Sequence, residues 1–139
     1  MLPAGKYYIG DLCYVMHEEW DEVCELFFKG RTDHGCNQGE FMLKDGRRFA
    51  CYNTRWGDGV YFDEARNRYP VDAGCIGCIL VSDITPGDNN NVSSGTVHDM
   101  DRDFNSSTED GVLTFGHVVI NTDNDDGFND YEEEEYADW

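Results

Sequence analysis

Hydrophobic positions along this chain fall into short runs, and one of them follows the helical period. From Glu18 to Lys29, Trp20, Val23, Cys24, Phe27 and Phe28 recur at i, i+3, i+4, i+7 and i+8, while Glu18, Glu19, Asp21, Glu22 and Glu25 take the other face. That spacing predicts an amphipathic helix. Its acids crowd the first turns, where they suit the macrodipole, and Lys29-Gly30 supplies a cationic last turn and a terminating glycine.

The other runs have strand length. Lys6 to Met16 is rich in β-branched and aromatic residues but broken at Gly10-Asp11, which predicts two short strands or one bulged strand with Asp11 re-aimed by the bulge. Phe41-Met42-Leu43 and Arg47 to Tyr52 flank Lys44-Asp45-Gly46, a hairpin signal. Val60 to Asp63 and Arg68 to Val71 flank Glu64-Ala65-Arg66-Asn67, predicting a second hairpin with Pro70 at an edge or a bulge. Ile76 to Val81 is continuously apolar and predicts a buried strand, and Val112 to Ile120 predicts the last one. No βαβ alternation occurs. The expected architecture is α+β: an antiparallel β-rich sheet or small curled barrel of seven to eight short strands, with the amphipathic helix over one face.

The polar stretches divide the chain further. Residues 1–84 and 111–120 are expected to form one globular domain, with 85–110 a long polar loop inserted in it and 121–139 an acidic tail. Residues 30–38 read as a shorter polar loop holding His34 and Cys36.

Charge sharpens this division. The net charge is −19, and residues 71–139 hold 17 acids against the single base Arg102, whereas residues 1–70 hold 12 acids against 9 bases. A surface of this sign repels phosphate backbones, so direct nucleic-acid binding is not expected and a basic partner is favoured. The N-terminal residues lack a basic segment followed by an apolar one, and no run approaches a membrane span, so a cytoplasmic protein with six reduced thiols is expected.

Candidate chemistry is sparse. Cys75-Ile76-Gly77-Cys78 has the spacing of a zinc pair, but an extended segment points the two thiols to opposite faces, so ordinary buried thiols are expected. Asp99-x-Asp101-x-Asp103 alternates like a calcium loop with Phe104 in place of the turn glycine, and Thr122 to Glu133 keeps that glycine and the final Glu but has Thr122 in the first ligand position. Diffuse cation binding explains both at this acid density, so no metal and no cofactor are assigned. The histidines His17, His34, His98 and His117 are scattered in sequence, His117 within the expected last strand, and no nucleophile, phosphate-loop or dinucleotide motif is present. Three Asp-bearing turns, Gly10-Asp11, Gly57-Asp58-Gly59 and Asp72-Ala73-Gly74, can converge at one end of a barrel. A pocket there would be lined by Asp11, Trp56, Asp58, Tyr61 and Asp72. No residue is assigned a catalytic role.

The order Gly10-Asp11-x-Cys13-Tyr14-Val15, Trp56-Gly57-Asp58-Gly59-Val60-Tyr61 and Val71-Asp72-Ala73-Gly74-x-Ile76-Gly77 resembles a set of small proteins of unassigned activity from bacteria, their phages and large DNA viruses. The resemblance spans roughly residues 5–82 and implies a compact β-rich fold. Many proteins of that set read Gly-Asp-Pro where this chain has Gly10-Asp11-Leu12, a departure that would remove a fixed backbone turn. The leading functional expectation is a non-catalytic acidic interaction protein, a viral or phage accessory factor that binds a basic protein surface much as a nucleic-acid mimic would. The alternative is a small-ligand-binding protein or small enzyme using the Asp and aromatic pocket.

Overall fold

The structure is a computed structural model and describes residues 1–28 and 38–122. Within them the chain forms β1 (Gly5–Gly10), α1 (Trp20–Phe28), β2 (Gly39–Met42), β3 (Arg48–Asn53), β4 (Gly59–Phe62), β5 (Arg68–Val71), β6 (Cys75–Leu80), β7 (Thr96–Met100), β8 (Ser106–Glu109), β9 (Val112–Phe115) and β10 (Val118–Asn121). These ten described strands build three open antiparallel sheets, with orders β2-β3-β6-β1-β7, β10-β9-β8 and β4-β5. The fold is a β-rich α+β fold, as expected, and none of the sheets closes into a barrel. Among the described residues no helix is long and apolar enough to cross a membrane.

The apolar run at β6 lies at the middle of the large sheet because it is apolar on both faces. Residues Cys75 to Ile79 are all buried. Strand alternation then sorts neighbours into two cores. On one side Tyr7, Ile9, Ala50, Tyr52, Ile76 and Cys78 meet Tyr69, Leu113, Phe115 and Ile120 of the two smaller sheets. On the other, Tyr8, Phe49, Cys51, Cys75 and Ile79 meet Leu12, Val23 and Phe27 under the helix. Cys75 and Cys78 thus face opposite cores, and burial raises the Cys78 thiol far above its ordinary range. The five cysteines in the described residues are free thiols.

Close packing at the centre leaves no room for a side chain at Gly77. A Cβ there would stand 2.1 Å from the Ala50 carbonyl oxygen and 2.7 Å from Leu12 Cδ1. Gly77 pairs with Gly10 of β1 on one side and Cys51 of β3 on the other. The glycine is therefore what lets Leu12 lie flat on the sheet.

Both expected hairpins form, β2–β3 around Lys44-Asp45-Gly46 and β4–β5 around residues 63–67, with Pro70 in a two-stranded sheet that is all edge. Three expectations need correction. After Gly10 the chain does not continue as a strand or bulge; Leu12–Tyr14 is a 3-10 turn capped by Asp11. Residues 85–110 are not a loop inserted in the domain: Pro86–Ser94 is a 3-10 segment, β7 pairs with β1 along the edge of the large sheet, and β8 pairs with β9. The run 112–120 is a hairpin, not one strand, because Gly116 adopts φ 61 and Phe115 pairs back onto Val118. The expected loop residues His34 and Cys36, and the acidic tail beyond Thr122, lie outside the described residues.

Gly77→Ala is expected to destabilise the protein by about 2–3 kcal/mol, since the clash is with backbone and a well-packed side chain. Urea unfolding followed by far-UV circular dichroism measures it. A midpoint equal to that of the parent protein contradicts the close approach.

Candidate functional site

Asp11 is fully buried, so its carboxylate needs strong partners within the protein. It has three. Oδ1 accepts the Cys13 backbone N–H at 3.0 Å, capping its own turn, and Oδ2 accepts the N–H groups of Asp72 and Ala73 at 2.7 Å each. The Tyr8 hydroxyl also donates to the Asp11 carbonyl at 2.9 Å, and burial followed by the Asp11 charge raises the Tyr8 hydroxyl well above its ordinary range. Asp11 is thus a clamp between the end of β1 and the turn that enters β6.

The two other Asp-Gly turns do come together, through backbone. Thr54 N–H donates to the Gly74 carbonyl at 3.1 Å, and the Thr54 and Tyr61 hydroxyls both donate to the Gly57 carbonyl, at 2.6 and 2.9 Å. Asp58 Oδ1 lies 3.9 Å from the place a Cβ would take on Gly74. The side chains divide. Asp11 and Tyr61 are buried and occupied by these bonds, while Trp56 (52% exposed), Asp58 and Asp72 lie at the surface. Arg55 stacks over the Trp56 ring at 5.6 Å, and the Tyr14 hydroxyl donates to Asp72 Oδ2 at 2.6 Å. A ligand pocket built on Asp11 requires a carboxylate with free lone-pair directions facing a cleft. Here three N–H donors take it.

A different cluster lies along α1. Glu18, Glu19, Asp21, Glu22 and Glu25, with Lys44 and Arg47, line a groove of about 680 Å³. Glu19 is 8% exposed and sits at its base. Its Oε2 accepts from Arg47 Nη1 at 2.8 Å and from the Thr85 hydroxyl, whereas its Oε1 is buried with no hydrogen-bond partner among the described residues. Arg47 is held in place by Asp45, by the Asp83 carbonyl at 3.0 Å and by Glu19, and the hydrogen bonds to Asp45 are the largest cause of its raised pKa. The helix pattern in the sequence identified these acids as one face. It did not show that Arg47, from the β2–β3 hairpin, would anchor Glu19 and leave one oxygen unpaired.

The acids of the expected calcium-like alternation are dispersed. Asp103 Oδ1 accepts the Ala4 N–H at 3.0 Å, and Asp101 is exposed beside Arg102. The second such stretch continues beyond Thr122, outside the described residues.

Asp63 was not singled out by the sequence beyond its place at a strand end. It is 7% exposed and organises the β4–β5 turn: Oδ1 accepts from Ala65 and Asn67 N–H, and Oδ2 from Asn67 Nδ2 and the Tyr69 hydroxyl, all between 2.7 and 2.9 Å. Desolvation alone raises its pKa, but the hydrogen bonds from Tyr69 and Asn67 together outweigh it and hold the carboxyl below its ordinary range.

Asp11→Ala is expected to cost about 3 kcal/mol or more, because two N–H groups of the 72–73 turn lose a charged acceptor. Trp56→Ala is expected to stay within about 0.5 kcal/mol. Equal losses for the two variants in denaturant unfolding contradict the clamp. For Asp63, the folded pKa lies below the unfolded value of about 3.9, so its stabilisation is complete above that pH and is lost as pH falls through the folded value. Asp63→Asn is expected to flatten the fall in stability below about pH 4. Chemical denaturation across pH 2–6 checks it, and an unchanged slope contradicts it.

Compared with known protein families, curated proteins and solved structures, the chain finds no match in any of the three.

Proposed function

We propose that this protein is a non-catalytic acidic interaction protein that receives a basic protein surface on the outer face of α1. The observation that carries the reading is the α1 groove, where five carboxylates face two cations and Glu18, Asp21 and Glu25 are exposed. A guanidinium or ammonium group from a partner supplies positive charge and donors to the exposed carboxylates Glu18, Asp21 and Glu25. The uneven charge of the chain supports the same reading: 17 acids and one base in residues 71–139 draw a basic partner in over distances of about a Debye length. A surface of this sign imitates the charge of a nucleic-acid backbone, so the fitting partners are proteins that otherwise bind nucleic acid. We place the protein among accessory factors of the kind phages and large DNA viruses carry. A small-ligand site at Asp11 fits less well, since its carboxylate is occupied by backbone donors.

The full-length protein is expected to bind an arginine-rich peptide with an affinity that falls steeply between about 50 and 300 mM salt. Neutralising Glu18, Asp21, Glu22 and Glu25 together, as Gln and Asn, is expected to weaken that binding at least about tenfold. Calorimetric titration of both proteins provides the measurement. If the α1 variant binds like the parent, while a variant with the nine acids of residues 123–139 neutralised does not, docking at α1 is wrong.

A further inference from the structure

His98 and His117 are 19 positions apart in sequence, yet they meet in space. His98 is on β7, His117 occupies the two-residue turn between β9 and β10, and their ring centroids are 6.0 Å apart at an interplanar angle of 75°. They line a cleft of about 460 Å³ with Asp63, Glu64, Asn67 and Val118. The meeting depends on features absent from the linear pattern: β7 as part of the large sheet, and Gly116 turning the chain back at His117.

Hydrogen bonding behind His98 leads from its Nε2 to a carboxylate. The Tyr69 hydroxyl has one proton and gives it to Asp63 Oδ2 at 2.7 Å, since an ionised carboxylate only accepts. The Thr96 hydroxyl gives its proton to the Tyr69 oxygen at 3.0 Å. His98 Nε2 stands 2.7 Å from Thr96 Oγ1 and 3.3 Å from the Tyr69 oxygen, and with the Thr96 proton directed to Tyr69 it is the donor of this arrangement. In the neutral ring this arrangement leaves the lone pair on Nδ1.

We infer that His98 Nδ1 and a ring nitrogen of His117 form a binding site for a borderline divalent transition metal of the zinc, nickel or copper class. A histidine that ligates such an ion characteristically donates its other N–H into a hydrogen-bonded chain ending on a carboxylate, and Thr96, Tyr69 and Asp63 are that chain. Imidazole nitrogen suits these metals, and the acids Asp63 and Glu64 make the cleft favourable for a cation and unfavourable for an anion. At a metal–nitrogen distance of about 2.0–2.1 Å and a tetrahedral angle, two imidazole centroids lie roughly 5 Å apart. His117 is exposed, so a small rotamer change closes the remaining distance. Asp63 spends its oxygens on four internal hydrogen bonds, and among the described residues no three His, Cys, Asp or Glu side chains lie close enough to share an ion. The site is consequently two-coordinate from the protein, with the other positions taken by water or by a group the cleft admits.

The test uses the full-length protein labelled with nitrogen-15, with excess Mg²⁺ present to occupy the carboxylates, and Zn²⁺ as the probe. Long-range proton–nitrogen correlation spectra report each imidazole separately, which distinguishes this site from the cysteines and the other histidines. Before Zn²⁺ is added, His98 is expected in the Nε2–H tautomer. On titration, His98 Nδ1 and one His117 nitrogen are expected to shift together and saturate together. His117→Ala, at an exposed turn, is expected to abolish the His98 shift without loss of the fold, and Tyr69→Phe to weaken it about tenfold or more. An Nδ1–H tautomer of His98, separate saturation of the two rings, or a His98 shift that survives His117→Ala overturns the inference.

Discussion

The rest of this fold depends on a buried carboxylate meeting backbone N–H groups far away in sequence. Asp11 ends β1, and its Oδ2 holds the two residues from which the chain enters β6. β6 is the strand on which both cores are built, so the bond sets where the central strand begins relative to its neighbour. An unpaired charge at this depth would cost several kcal/mol, which makes the arrangement all-or-none: the 72–73 turn is in place or Asp11 is not tolerated. Gly77 completes the constraint from the other end of the contact. Its missing side chain lets Leu12, next to Asp11, lie on β6.

What could be read in the sequence follows from which forces are local. The α1 face, the Asp45-Gly46 hairpin and the two-sided burial of β6 are properties of adjacent residues, and all three appear in the structure. The alternation that separates Cys75 from Cys78 is local too. The misses are edges and tertiary bonds. β7 and β8 are polar because one side of each pairs with a neighbouring strand while half of their side chains face outward, so their composition resembles a loop. The hairpin at 112–121 is concealed because β-forming residues continue on both sides of the turn, although Gly116 is there to mark it.

The candidate site residues divide along the same line. Asp11 and Tyr61 read as polar or amphipathic groups available to a ligand, but backbone carbonyl and N–H groups from other turns occupy them. Partners 61 and 62 residues away leave no trace in a local pattern. The groups without such partners among the described residues, Glu19 Oε1 under α1 and His117 at the β9–β10 turn, depend on elements that only the folded chain brings together. For this protein, chemical availability is decided by what the backbone leaves unsatisfied.

The order of the large sheet also governs when the molecule can form. β1 lies between β6 and β7, with Tyr7 opposite Leu80 on one side and His98 on the other. A chain emerging from the ribosome therefore makes its first strand long before either neighbour exists, and it can pair α1, β2 and β3 only locally until residue 80 is out. Such long-range pairing slows folding and leaves strand edges open in the interim. The acid-rich second half emerges only after these edges are exposed, and once it is out its like-charge repulsion keeps unfinished chains apart while β7 completes the sheet.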